Sequence, residues 1–362
     1  MNITFLIGNG FDINLGLSTT YSNFINYYKT LDCSTEILKK FRSHIRDNEE
    51  LWKNAEIALG KYTSDFDEGK GMDFSKCHQN FCENLVEYLR EEQKRFAYQK
   101  HGDKIIDTFV SLNQLTAPFP TEEKNILASL YKKFQNEAIT FNFICFNYTS
   151  TLDACLSTVK SKPSALGQHK YGNSILNHSI GKISHVHGTL DKDMIFAVND
   201  ETQIAKPEIF NFEDGDIDKN FLIKQKANIS YLENTDTLTN QILQNSTIIY
   251  IYGMSLGETD KLWWERINNW LRASTDRHLI IYDFNMPPKG VYSLPYQKAE
   301  RKKKNEILAY SSFDKSTKTL LYQRIHITGE NIFKGIAGIA EPVEKHIDTI
   351  EATIDEEKRK AV

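Results

Sequence analysis

The chain has 362 residues, 40% hydrophobic and 25% charged, which is enough apolar mass for one large globular domain or two ordinary ones. Its net charge of −4 excludes a global attraction to nucleic acid or to an anionic membrane, and neither is expected as a partner. The strongest apolar run, around 247–256, is about half of the roughly 20 residues that span a bilayer. No Lys or Arg precedes the short N-terminal apolar run, so no signal peptide is read there. The five cysteines form no CxxC pair, and a cytoplasmic protein is expected.

Residues 3–7 read as a buried strand that stops at Gly8-Asn9-Gly10, and 19–29 read as a helix capped by Thr19 or Thr20. From 34 to 136 apolar residues recur at helical spacing, and no strand of five or more residues is expected. Cys77 and Cys82 flank His78 there, but apolar positions 77, 81, 85, 88, 89 and 96 mark one helical face, so the thiols read as half-buried side chains and not as ligands. Strands return at 139–147, 183–188, 194–199, 246–253, 278–284 and 322–327, with helices at 149–160, about 217–232 and 257–274. Trp263, Trp264, Ile267 and Trp270 follow helical spacing and read as core. Strands alternating with helices predict an α/β fold, Rossmann-like, with a mostly parallel sheet. The core is read as 1–30 plus 138–335, the span 31–137 as a helical insertion packed as a bundle beside the sheet, and 336–362 as a charged C-terminal helix.

Ligands of open parallel sheets gather at the carboxyl ends of strands. Four polar clusters fall there: Gly8-Asn9-Gly10-Phe11-Asp12, Asn147-Tyr148-Thr149, His185-Val186-His187-Gly188, and the stretch from Gly253 through Ser255 to Asp260. In the first, the amides of Gly8 to Gly10 could cradle a phosphate, and a side chain at Gly10 would then block the ligand without harming the fold. The alternative is a tight turn with Asp12 capping a helix. The third glycine of G-x-G-x-x-G is replaced by Ile13, which argues against an ordinary dehydrogenase. Asn147 can hold a ribose hydroxyl or a water, or order its turn. His187 is placed as a general base, with His185 supporting it. A zinc site using His185, His187, His169 and His178, or a purely structural pair, are the other readings. Ser255 and Glu258 have the spacing of a capping box, so a helix start accounts for them as well as a pocket floor does. The segment 213–219 lacks the glycine and glutamate positions of a calcium loop, and the basic run 301–304 reads as a solvated face.

The segments "LIGNGFDINLGLSTTYSNF", "FNYTSTLD", "HVHGTLD" and "GMSLGETD", in that order, resemble the bacteriophage abortive infection AbiH family over about residues 3–272. That resemblance implies a bacterial defence protein that stops phage spread at the cost of the infected cell. A more remote similarity, to sirtuin-like NAD-cleaving defence domains, implies that Asn147 and His187 serve in catalysis. The glycine loop and Thr149, which stands where an acid is common, depart from that pattern. The function expected is antiphage defence with a pocket for NAD or a related nucleotide, which it hydrolyses. Gly8, Asn9, Gly10, Phe11, Asp12, Gly253, Ser255 and Asp260 are expected to bind it, with no metal. The alternatives are a sensor of a nucleotide or phage signal acting through a partner protein, and a metal-dependent nuclease. A homo-oligomer and a phage-derived trigger are further expected partners.

Overall fold

The computed structural model describes residues 1–160, 166–231, 235–255, 261–289 and 292–340. β1 (Asn2–Ile7) leads into two short helices, α1 (Gly10–Leu15) and α2 (Tyr21–Tyr28). Helices alone then fill the chain up to the second strand: α3 (Glu36–Asp47), α4 (Glu49–Trp52), α5 (Ala55–Tyr62), α6 (Gly71–Lys94), α7 (Tyr98–Val110), α8 (Leu112–Thr116) and α9 (Thr121–Lys133). Next come β2 (Thr140–Cys145), α10 (Thr151–Lys160), the hairpin β3 (Gln168–Tyr171) and β4 (Ser174–Asn177), and β5 (Ser179–His185). A long irregular stretch leads to α11 (Gly215–Phe221), α12 (Lys224–Tyr231) and α13 (Thr235–Asn245). The chain closes with β6 (Ile248–Tyr252), α14 (Lys261–Arg272), β7 (His278–Tyr282), α15 (Leu294–Ala309), α16 (Lys315–Tyr322) and β8 (Ile325–Thr328).

Six strands form one parallel sheet in the order β5-β2-β1-β6-β7-β8. Counted along the chain within this sheet, that order is 3-2-1-4-5-6, the doubly wound Rossmann arrangement. The order reverses at β1, which lies between β2 and β6. Register aligns His185, Cys145, Ile7, Tyr252, Tyr282 and Thr328 in a single row. Six chain segments therefore leave the sheet side by side, along one rim.

Both faces of the sheet are covered, as all-parallel strands require. On one face Phe5, Phe143, Tyr250 and Tyr282 pack against Ile105, Ile106 and Phe109 of α7 and against Leu152 and Leu156 of α10. On the other, Leu6, Ile144, Ile251 and Ile281 meet Trp264, Ile267 and Trp270 of α14. A third core joins α2 through α6 to the segment 190–223 through Phe24, Phe41, Trp52, Phe81, Phe196 and Phe210.

This division corrects three expectations. The helices of 31–137 are not one bundle, because α7 to α9 cover the sheet and only α3 to α6 join the third core. Residues 194–199 are not a strand; Val198 makes one isolated bridge, to Ile223, and the segment is buried as irregular chain by the third core. Residues 337–340 are not helical either. After a short turn at Lys334–Ile336, Gly338 and Ala340 donate to the carbonyls of Asn14 and Leu15, clamping the chain against α1. The rest of the expected C-terminal helix lies outside the described residues.

Candidate functional site

The row of strand ends opens into a cavity of about 610 Å³, within the range of small-molecule sites. Gly8, Asn9 and Gly10 border it after β1, Gly253 and Ser255 after β6, Asp283 and Asn285 after β7, and Asn331 after β8. Lys53, Glu56 of α5 and Lys224 of α12 also line it. Behind it lies a smaller chamber of about 110 Å³, lined by Asp12, Tyr21, Glu56, Asn147, Thr149 and His187 among others. His187 borders both spaces.

The glycines of the first loop are required by contact between the two loops. A Cβ on Gly8 would stand 2.5 Å from the Gly253 carbonyl oxygen, and one on Gly10 would stand 2.5 Å from the Gly253 Cα. Gly253 itself has φ +71°, a conformation that favours glycine. The amide of Gly8 donates to Tyr252 (2.9 Å) and that of Gly10 to Gly253 (2.9 Å). Those two donors are spent inside the protein, so neither amide is left for a phosphate. Asn9 is also engaged: its side chain donates to the Thr19 carbonyl at 2.9 Å and accepts from the Thr19 hydroxyl at 2.6 Å. Phe11, expected to bind ligand, is instead fully buried against Phe109, Tyr252 and Phe333. Its aromatic area is core, which corrects that expectation. Asp260 lies outside the described residues.

Asp12 faces the inner chamber. Its carboxyl is 1% exposed, and Oδ2 accepts from the Thr149 hydroxyl while Oδ1 has no hydrogen-bond partner. Burial raises its pKa from an ordinary 3.8 to about 6, against the opposing pull of Thr149, Asn147 and Thr151. Asn147 Oδ1 is also buried without a partner. Each such unsatisfied acceptor carries a desolvation cost.

The raised Asp12 carries a stability cost with a defined pH window. Between 3.8 and about 6 the folded state holds a proton that the unfolded state has released, so stability falls as pH rises through this range. The loss totals roughly 3 kcal/mol, at about 1.4 kcal/mol per unit. Asp12→Asn removes the titration. In urea unfolding, wild type is expected to lose about that much stability relative to the variant between pH 4 and pH 7. A gap that stays constant with pH would show that Asp12 takes up no proton on folding.

The two histidines divide their roles. His185 pairs with Asp153 (3.1 Å), tying the end of β5 to α10. Burial lowers its pKa, but Asp153 and Cys145 together raise it to about 10. His187 sits between Phe146 and Tyr148. Burial first, and the charge of Lys224 second, hold its imidazole well below the ordinary 6.5, against the hydrogen bond at the Val186 backbone. His187 is therefore neutral at physiological pH, and its Nδ1 has no partner. His169 and His178 bond to each other on the β3–β4 hairpin (3.0 Å). Among the described residues no group of three or more His, Cys, Asp or Glu could hold a metal ion.

Residues that the sequence reading missed also line the cavity. The Lys224 ammonium lies 2.7 Å from Glu56, both side chains under 10% exposed, and the Tyr21 hydroxyl donates to the other Glu56 oxygen at 3.1 Å. The only local signal was one acid and one lysine, each beside apolar runs (Ala55-Glu56-Ile57 and Leu222-Ile223-Lys224). Charges so placed end up buried and need a partner.

No helix of the described residues is long and apolar enough to cross a membrane. No curated protein matches the chain. The family described as Bacteriophage abortive infection AbiH matches residues 4–282, well over half of the 362 residues, from within β1 to the end of β7. With that match over well more than half of the chain, the chain belongs to the bacteriophage abortive infection AbiH family, whose members act in antiphage defence by abortive infection.

Proposed function

We propose that the rim cavity takes NAD or a related nucleotide and that the protein hydrolyses its N-glycosidic bond, depleting the infected cell. One observation carries this reading: His187, buried, neutral and with a free ring nitrogen, borders both the ligand-sized cavity and the small polar chamber behind it. In the proposed step the bond from ribose C1′ to the nicotinamide nitrogen breaks, and its electron pair leaves with the ring. A water held in the chamber by Asn147 attacks C1′, and its proton passes to His187. Asp12, beside Asn147, steadies the same water. With the amides of Gly8 and Gly10 engaged internally, side chains such as Lys53 and the carboxamides of Asn14 and Asn285 are left to hold phosphates.

Nicotinamide release is measured with purified protein and NAD, and cellular NAD is followed with and without phage. Release in vitro and a fall in NAD on infection are expected. Stable NAD in both settings overturns the reading. A second reading is a nucleotide or phage-signal sensor working through a partner protein. The same internal use of the Gly8 and Gly10 amides favours it, because a site that lacks those two donors is poorly equipped to position a dinucleotide for chemistry.

A further inference from the structure

We propose that the groove between α15 and α16 binds single-stranded nucleic acid. The groove has a volume of about 1070 Å³ and lies outside the cavity described above. Its floor is apolar and aromatic, with Leu308, Phe313 and Tyr322. Its walls carry Lys298, Arg301 and Lys304 from α15 and Lys315 and Lys318 from α16. Glu300 is the one acid lining it, and it is paired with Lys304 at 2.7 Å. Lys302 and Lys303, on the same helix, pair with Glu306 and Asp283. No ion pair engages Lys298, Arg301, Lys315 or Lys318 among the described residues, and Lys298, Arg301 and Lys315 are exposed.

Read along the chain, the basic run 301–304 is a solvated helix face. The fold changes its meaning, because α16 brings Lys315 and Lys318 across from it. On a chain of net charge −4, four cations that no described residue pairs, facing one slot, are a concentrated anion-binding surface. The floor selects among polyanions. Phe313 and Tyr322 are only partly buried, and one cation lies over each ring, Arg272 and Lys304, each at 4.9 Å. A single strand can offer phosphates to the walls and unstacked bases to such a floor, which a duplex cannot.

The full chain is titrated against a labelled thymidine oligonucleotide of about 20 nucleotides, by fluorescence anisotropy, at about 50 and 200 mM salt. Four neutralised phosphates predict an affinity loss of about 50-fold between these concentrations. The double variant Arg301→Glu, Lys315→Glu changes two exposed residues, so its fold, checked by circular dichroism, is expected to persist while binding weakens at least about tenfold. An abasic strand of the same length and the matching duplex are expected to bind more weakly than the thymidine strand. The proposal is overturned by absence of binding at the lower salt, by a variant that binds like wild type, or by an abasic strand that binds equally well. Polyglutamate of equal charge binding as tightly also overturns it, and points to an acidic protein partner instead.

Discussion

Under the proposed hydrolysis, His187→Ala is expected to lower nicotinamide release by about 10²- to 10⁴-fold and to change ligand affinity only a few-fold. The imidazole is 9% exposed; its Nδ1 has no partner, and the ring's tie to the protein is the hydrogen bond at the Val186 backbone. His187→Gln fills more of the same space and cannot take a proton in this pH range; it is expected to lose the same activity. His185→Ala is the contrasting case. It breaks the pair with Asp153 and frees the end of β5 from α10, so it should lower the unfolding midpoint while residual folded protein still turns over. In cells, phage plating on a strain carrying His187→Ala should match the empty strain. If this variant releases nicotinamide like wild type, no base is needed at His187; if it protects cells without releasing nicotinamide, the sensor reading replaces hydrolysis.

Gly10→Val is expected to destabilise the fold by about 3 kcal/mol or more, the upper end of overpacking costs. The new side chain would enter the backbone of Gly253, with its Cβ 2.5 Å from that Cα. Backbone cannot swing aside as the end of a flexible side chain can. Relieving the clash means parting the loops after β1 and β6, which breaks the bond from the Gly10 amide to the Gly253 carbonyl. Against a total stability of about 5–15 kcal/mol, that loss lowers the urea midpoint clearly. The expectation from sequence was the reverse: a folded protein with a blocked pocket. A wild-type midpoint in this variant would show that the loops part freely and restore the ligand-blocking view.

The central elements were legible because their signals are local. Ile3 to Ile7 and Thr247 to Tyr252 are continuous apolar runs ending at glycines, the mark of strands buried on both faces. Trp263, Trp264, Ile267 and Trp270 recur at helical spacing and are all buried. The amphipathic run from 34 to 136 contains only helices. Met194 to Asn199 carries the same kind of apolar signal and misled, because burial by the third core satisfies an apolar run without any strand pairing. The hairpin at 168–177 was missed because its mostly exposed strands carry almost no apolar pattern.

The site divides along the same line. Sequence alone determined that polar clusters stand at the ends of β1, β2, β5 and β6, since each follows directly from a strand's last apolar residue. It also determined the family, through motifs whose spacing is local. What each residue does was decided by tertiary contact. Gly10 faces Gly253, 243 positions away; Phe11 faces Phe333; Glu56 meets Lys224; and Lys315 closes a groove opened by Arg301. Hydrophobic periodicity reports how one element is buried, because burial follows the repeat of that element. Pairing across the fold depends on register and strand order, and those come from the summed packing of the whole sheet.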